Sequence, residues 1–156
     1  MKLDRINRIQ QDSDPQSELT GKVIGLAMKV HRTLGPGFLE SVYKKALHYE
    51  LIRAGLQAEL EKPIQIRYEN IIVGDYFTDV VVNEHLILEV KAIVALATEH
   101  EVQLVNYLTA TGKDIGLLLN FGAQSLEFKK KFRTHREATS EPFRFRENSV
   151  NPVNPV

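Results

Sequence analysis

The order of apolar patterns along the chain predicts an α/β fold, a single domain in which a mixed β-sheet is flanked by helices. Three observations carry that expectation. Residues 71–91, IIVGDYFTDVVVNEHLILEVK, read as two strands joined at Asn83-Glu84, the first rich in Ile, Val, Tyr and Phe and the second reading HLILEVK. Residues 115–121 form a short apolar run without alternation, as a strand buried on both faces would. Between them lies helical patterning from Thr98, which allows a right-handed parallel crossover.

Taken in order, the chain opens with a polar arm over residues 1–16, rich in Gln, Asp and Ser. Leu19, Val23, Ala27, Val30 and Leu34 then recur at helical spacing, with Ser17 placed to cap. Gly35-Pro36-Gly37 ends that helix, since Pro cannot continue it and Gly accepts unusual backbone angles. A second helix is expected from near Leu39 to Gly55. A strand region follows over residues 58–68, with Pro63 suited to an edge or a strand start, and Glu69-Asn70 turns into the central stretch.

Thr98 followed by Glu101 has the form of a capping box, so a helix should run from there to about Thr111 and stop at Gly112. Residues 126–132 alternate Leu and Phe with charged residues, as a half-exposed strand does. The resulting order is helix, helix, three strands, helix, strand, strand. The domain is expected over residues 17–133, and residues 134–156 are expected to be a flexible polar tail ending in an Asn-Pro-Val duplication.

Composition narrows the function classes. The chain is 43% hydrophobic and 26% charged over 156 residues, enough for one globular core. It has no Cys, which excludes disulfides and thiolate metal sites and leaves oxygen-rich sites open. No apolar run approaches the roughly 18 residues of a membrane span. The first residues are too polar and acidic for a secretory signal, so a cytoplasmic location is expected. Net charge is 0, but from Lys129 onward seven basic residues face three acidic ones. That basic end suits either a phosphate-tracking edge, led by Lys129, Lys130 and Lys131, or a solvated extension.

One constellation carries chemistry. Side chains alternate along a strand, so Glu89 and Lys91 share one face while Leu86, Leu88 and Val90 share the other. Asp79 stands on the preceding strand and can reach the space above Glu89. Two carboxylates hold a hard divalent cation, and a nearby Lys positions a water or meets charge on a phosphate. An isolated Glu-x-Lys is more often a solvated ion pair. Here apolar neighbours on both sides make a purposeless charge expensive. Gln103 and Tyr107 lie four apart on one helix face with His100, and Glu40 and Tyr43 form a similar pair three apart. Tyr43 and Tyr107 also suit the edge of a core, and Glu40 would be stabilised by the helix dipole wherever it pointed. His31, His48 and His85 do not fall at zinc spacing and read as surface or structural residues.

Gly37-Phe38-Leu39-Glu40-Ser41-Val42-Tyr43, the LEVKA strand and the QLVNYLTATG helix resemble the GxxExxY proteins, small bacterial and archaeal members of the PD-(D/E)XK nuclease superfamily. The resemblance spans roughly residues 19–122. It implies a restriction-endonuclease-like core in which Asp79 and Glu89 bind metal, Lys91 is the catalytic lysine and Glu40 is an additional acid. Gln103 and Tyr107 match a Gln-x-x-x-Tyr helix that lines the site in the exonuclease-like branch. The chain departs from the motif in having Thr78, not Pro, before Asp79.

The function expected is a Mg²⁺-dependent phosphodiesterase, with Mn²⁺ able to substitute, acting on nucleic acid, DNA before RNA. The rival expectation is an inactive nuclease-fold module for nucleic-acid or protein interaction. A hydrolase or transferase of small phosphorylated substrates ranks third. Self-association is left open.

Overall fold

The computed structural model describes residues 14–134. The expected polar tail beyond Thr134 and most of the expected arm lie outside those residues. Helix α1 spans Pro15–Leu34, starting earlier than Ser17 because Asp14 caps it and Pro15 occupies its first turn. The Asp14 carboxylate accepts the Gln16 amide N–H at 3.2 Å. Helix α1 buries the predicted stripe Val23, Ala27 and Val30. Gly35 and Gly37 have φ of 68° and 114°, which is why glycines stand at this turn. Helix α2 follows over Glu40–Arg53. The Tyr43 hydroxyl donates to Gly35 O and accepts from Phe38 N–H, so it ties the turn down from inside. Its ring stacks on Phe121 at 4.8 Å, which assigns Tyr43 to the core.

Five strands precede the third helix, not three: β1 (Ala58–Leu60), β2 (Pro63–Tyr68), β3 (Ile71–Phe77), β4 (Val80–Val82) and β5 (Leu86–Lys91). Helix α3 (Thr98–Thr111), β6 (Ile115–Asn120) and β7 (Glu127–Phe132) complete the described chain. The main sheet has the order β1-β4-β5-β6-β7, with β5 and β6 parallel and the other pairs antiparallel. β2 and β3 form a separate two-stranded ribbon.

Both extra strands come from one bend in a long hairpin. Residues 58–68 and 71–82 run antiparallel throughout, but the pair turns out of the main sheet at Glu61-Lys62 and Thr78-Asp79. Glu61 adopts a left-handed φ of 54°. Across the bend Glu61 N–H donates to Asp79 O at 3.0 Å and Thr78 N–H to Lys62 O at 2.9 Å. Beyond it Asn83 and Glu84 have φ of 49° and 62°, the turn expected between β4 and β5.

Alternation then sorts the core. Val80, Val82, Leu86, Leu88, Val90, Leu117 and Leu119 face α1 and α2. Val81, Ile87 and Leu118 meet Leu104 and Leu108 of α3 on the other face. The connection from β5 through α3 to β6 joins parallel strands, as expected. Among the described residues no helix is long and apolar enough to cross a membrane.

The chain leaving β5 is latched to the chain leaving β6. Asn120 is fully buried and uses its whole side chain there. Its Oδ1 accepts from Ile93 N–H and Gly122 N–H, each at 3.0 Å, and its Nδ2 donates to Ile93 O at 2.9 Å and Glu127 Oε1 at 3.0 Å. Gly122 passes so close that an added Cβ would lie 2.3 Å from both Ile93 N and Ile93 O. Backbone on both sides leaves nothing flexible to give way. Gly122→Ala is therefore expected to destabilise the protein by about 2 to 4 kcal/mol, read from urea unfolding. Stability equal to the parent would show that the two segments separate easily.

Candidate active site

The bend that creates β4 also aims Asp79. β4 pairs with β5 up to Val80 opposite Leu88, and the next partner of Val90 would be Thr78. The chain has already turned away there, so Val90 N–H is left without a strand partner. Asp79 Oδ2 takes that N–H at 2.7 Å. Thr78 holds the bend with its own N–H and with Oγ1, which donates to Lys62 O at 3.2 Å. A proline at position 78 would lack that N–H, so the departure from the motif has a local use here.

Glu89 stands beside Asp79 on the α3 side of the sheet and is 6% exposed. Burial first, then the neighbouring Asp79 charge, push its carboxyl up to about 8, and the Lys91 ammonium pulls the other way without prevailing. Glu89 Oε1 is buried and has no hydrogen-bond partner. Lys91, at the end of β5, is half-buried and makes no ion pair within 4.0 Å among the described residues.

Tyr107 of α3 lies near the pair and packs against Tyr76. Its hydroxyl accepts from Gln103 Nε2 at 2.8 Å. Burial, and then the Glu89 charge, raise its pKa, which places the phenol within the field of the carboxylate pair. His100 serves the helix start: its Nδ1 accepts Ala97 N–H at 3.0 Å, so it closes the first turn in place of the expected Thr98–Glu101 box. His31 and His48 likewise bond carbonyl oxygens of Ala123 and Ala58.

The structure thus brings Asp79 and Glu89 together, with Lys91, Tyr107 and Gln103 around them. Glu40 lies exposed in the first turn of α2. Among the described residues no three of His, Asp and Glu converge as a metal-holding group, so Glu40 is not brought into the pair.

Lys44, one turn beyond Glu40, is a site residue that the sequence did not single out. Its ammonium lies 3.6 Å from Asp79 Oδ1 and 3.3 Å from Glu61 Oε1. Burial acts to lower its pKa, but Asp79 and Glu61 together carry it above the usual value. The four-residue spacing from Glu40 was the available signal, and nothing local marked the Lys as facing Asp79.

The three lysines of β7 are divided by strand alternation. Lys129 and Lys131 share the α3 face with Glu127, and Lys131 pairs with Glu101 at 3.2 Å. Lys130 points to the other side, its ammonium 5.6 Å from the Phe132 ring centroid.

Two crowded carboxylates, one oxygen of which is buried without a partner, form a donor set that a divalent cation would relieve. Asp79 and Glu89 therefore fit such an ion.

Comparison with known proteins places the chain in a class. The family model described as the PD-(D/E)XK nuclease superfamily matches residues 17–133. The chain belongs to that superfamily. Among solved structures, the crystal structure of SSO0001 is similar with a TM-score of 0.50 and 17% identity, covering 64% of this chain and 53% of that one. The chain thus spans about half the length of that protein, and the likeness is one of fold. An alkaline exonuclease (LHK-Exo) from Laribacter hongkongensis matches with a TM-score of 0.46 and 11% identity, over 78% of this chain and 72% of that one. A search of curated proteins found no match.

The raised Glu89 pKa makes metal-free stability depend on pH. Between the ordinary value of 4.5 and about 8 the folded protein holds a proton that the unfolded chain releases. Stability from this group is therefore full below about 4.5 and lost as pH rises through 8. Glu89→Gln is expected to flatten that fall and to raise the melting temperature at pH 8 in EDTA. Melting curves of parent and variant across this range check it, and parallel pH profiles would contradict it.

Proposed function

We propose that this protein is a divalent-metal-dependent nuclease that hydrolyses phosphodiester bonds in nucleic acid, DNA in the first instance. The observation that carries the reading is the pairing of buried Glu89 with half-buried Asp79, with a bare Glu89 oxygen and an uncommitted Lys91 beside it. Superfamily membership supports the same reaction class.

Asp79 and Glu89 would hold the ion, for which we propose Mg²⁺ with Mn²⁺ as a substitute. Nucleases of this superfamily generally use divalent ions. A bound cation supplies Lewis-acid charge against the scissile phosphate. The chain's own groups do the rest. The Val90 N–H and Lys44 fix the two oxygens of Asp79, so that carboxylate is oriented before any ligand arrives. Lys91 donates to the phosphate or to the attacking water and offsets the negative charge that develops in the transition state. Gln103 holds the Tyr107 hydroxyl, whose own proton is free to reach a phosphate oxygen. Glu40 is proposed as a further acid that approaches when substrate and metal are present. Lys129 and Lys131, on the α3 face, would meet backbone phosphates, and Lys130 would act from the far side of the strand. A cytoplasmic site of action is part of the same proposal.

Substitutions separate the roles. Asp79→Ala and Glu89→Ala are each expected to abolish the Mn²⁺-induced rise in melting temperature. Lys91→Ala should keep that rise while cleavage falls on the order of 10²-fold or more, because the lysine is no ligand. Calorimetric Mn²⁺ titration beside single-turnover cleavage of labelled DNA reads both. Parent protein that binds Mn²⁺ and nucleic acid yet cuts neither DNA nor RNA would overturn the enzyme reading in favour of an interaction module.

A further inference from the structure

A cleft of about 1260 Å³ lies between α3 and the β2–β3 ribbon, beside the carboxylate pair but not lined by it. Its walls carry Tyr76, Arg67 and Gln65 from the ribbon, and Gln103, Asn106 and Tyr107 from the helix. We propose that this cleft seats the bases of a single nucleic-acid strand, with Tyr76 as stacking platform and Arg67 as phosphate partner. The inference rests on the nuclease reading and names the form of substrate that the same site would take.

The Tyr76 ring is held in place yet left open. It is 47% exposed, and it packs at 5.8 Å and 40° against the Tyr107 ring. It also lies across Gly74, where an added Cβ would come within 2.8 Å of the ring. Glycine at 74 therefore gives the ring its seat, and the exposed remainder of its surface borders the cleft. An aromatic ring fixed by its neighbours and open on one side suits a base, whose flat face is present in every nucleotide.

Much of the remaining lining is polar, with Glu99 its one carboxylate. Three side-chain amides can donate to or accept from base edges whichever base is present. Arg67 makes no ion pair among the described residues, and its side-chain bond to Gln65 Oε1 is a long one, at 3.5 Å. Its guanidinium is thus available to a phosphate. The cleft is larger than the roughly 300 to 1,000 Å³ of a small-molecule site. A duplex keeps its base faces stacked inside, so only an unpaired strand can use Tyr76. Continuity with the active site gives the direction: Tyr107 lines the cleft and also feels the charges of Glu89 and Asp79. A strand lying in the cleft would run its backbone toward the pair.

The test uses the full-length protein in EDTA, so that cleavage does not intrude, with a short fluorescein-labelled oligothymidylate read by anisotropy. Stacking is worth about 1 to 3 kcal/mol per base, so Tyr76→Ala should weaken binding about tenfold, with Tyr76→Phe close to the parent. Gly74→Ala, which displaces the ring without removing it, should also weaken binding. Arg67→Ala should lower affinity and make the salt slope shallower by roughly 0.7. A blunt duplex of equal length should bind less tightly and be indifferent to Tyr76. Thermal melts identify any variant that fails to fold, and in that case Tyr76→Phe and Arg67→Ala still discriminate.

Oligothymidylate binding unchanged in the folded Tyr76 and Arg67 variants, no binding at all, or a preference for duplex would overturn the proposal. Tyr76-dependent binding without metal-dependent cleavage would sink the nuclease reading alone. Cleavage indifferent to Tyr76 and Arg67 would sink the cleft alone.

Discussion

Strand β5 is hydrogen-bonded along both edges and covered on both faces, and the rest of the molecule is arranged around that confinement. A strand so enclosed has no room to slip, because a one-residue shift would drive Leu86, Leu88 and Val90 out of the α1–α2 core. The same rigidity holds Glu89 where water cannot readily solvate it. Its raised pKa and its unpartnered oxygen follow from this placement. Stability elsewhere in the apolar sheet offsets the cost of a carboxyl group in that position.

The bend in the long hairpin gives the enclosed strand its chemistry. Had residues 71–82 continued straight, Thr78 would have satisfied Val90 and Asp79 would have had no main-chain anchor. Bending at Glu61 and Thr78 leaves the Val90 N–H to the Asp79 carboxylate and swings the β2–β3 ribbon out beside α3. One geometric event therefore makes both the acid pair and the cleft next to it. Lys44, reaching in from α2, adds a fixed positive charge that orients Asp79 and ties the helical layer to the site.

Roles within the motif residues are correspondingly divided. Tyr43 suits the edge of a core in the sequence, and its hydroxyl and ring are wholly engaged in the Gly35–Phe38 turn and the Phe121 stack. Tyr107 keeps its hydroxyl at the site, shared with Gln103. The difference lies in which helix face meets the core: α2 buries Tyr43 with Leu47 and Leu51, whereas α3 covers the sheet with Leu104 and Leu108 and leaves Tyr107 at the margin.

Much of this was legible in the residues alone. Period-two alternation placed Glu89 and Lys91 on one face, the Asn83-Glu84 turn brought Asp79 back beside them, and the helix between two apolar strands predicted the parallel crossover. These are local or near-local consequences of backbone geometry, so one chain suffices to read them. Tertiary structure decided what depends on contacts distant in sequence. The hairpin bend rests on bonds between residues 61–62 and 78–79, and no propensity in 71–82 announces it. Lys44 acquired its place because α2 packs against β1 and β5 and so reaches Asp79, and pairing with β6 decided that Lys129 and Lys131, not Lys130, lie on the α3 face. The Glu89 pKa is likewise a property of enclosure, since the same residue on an open strand would titrate as an ordinary acid.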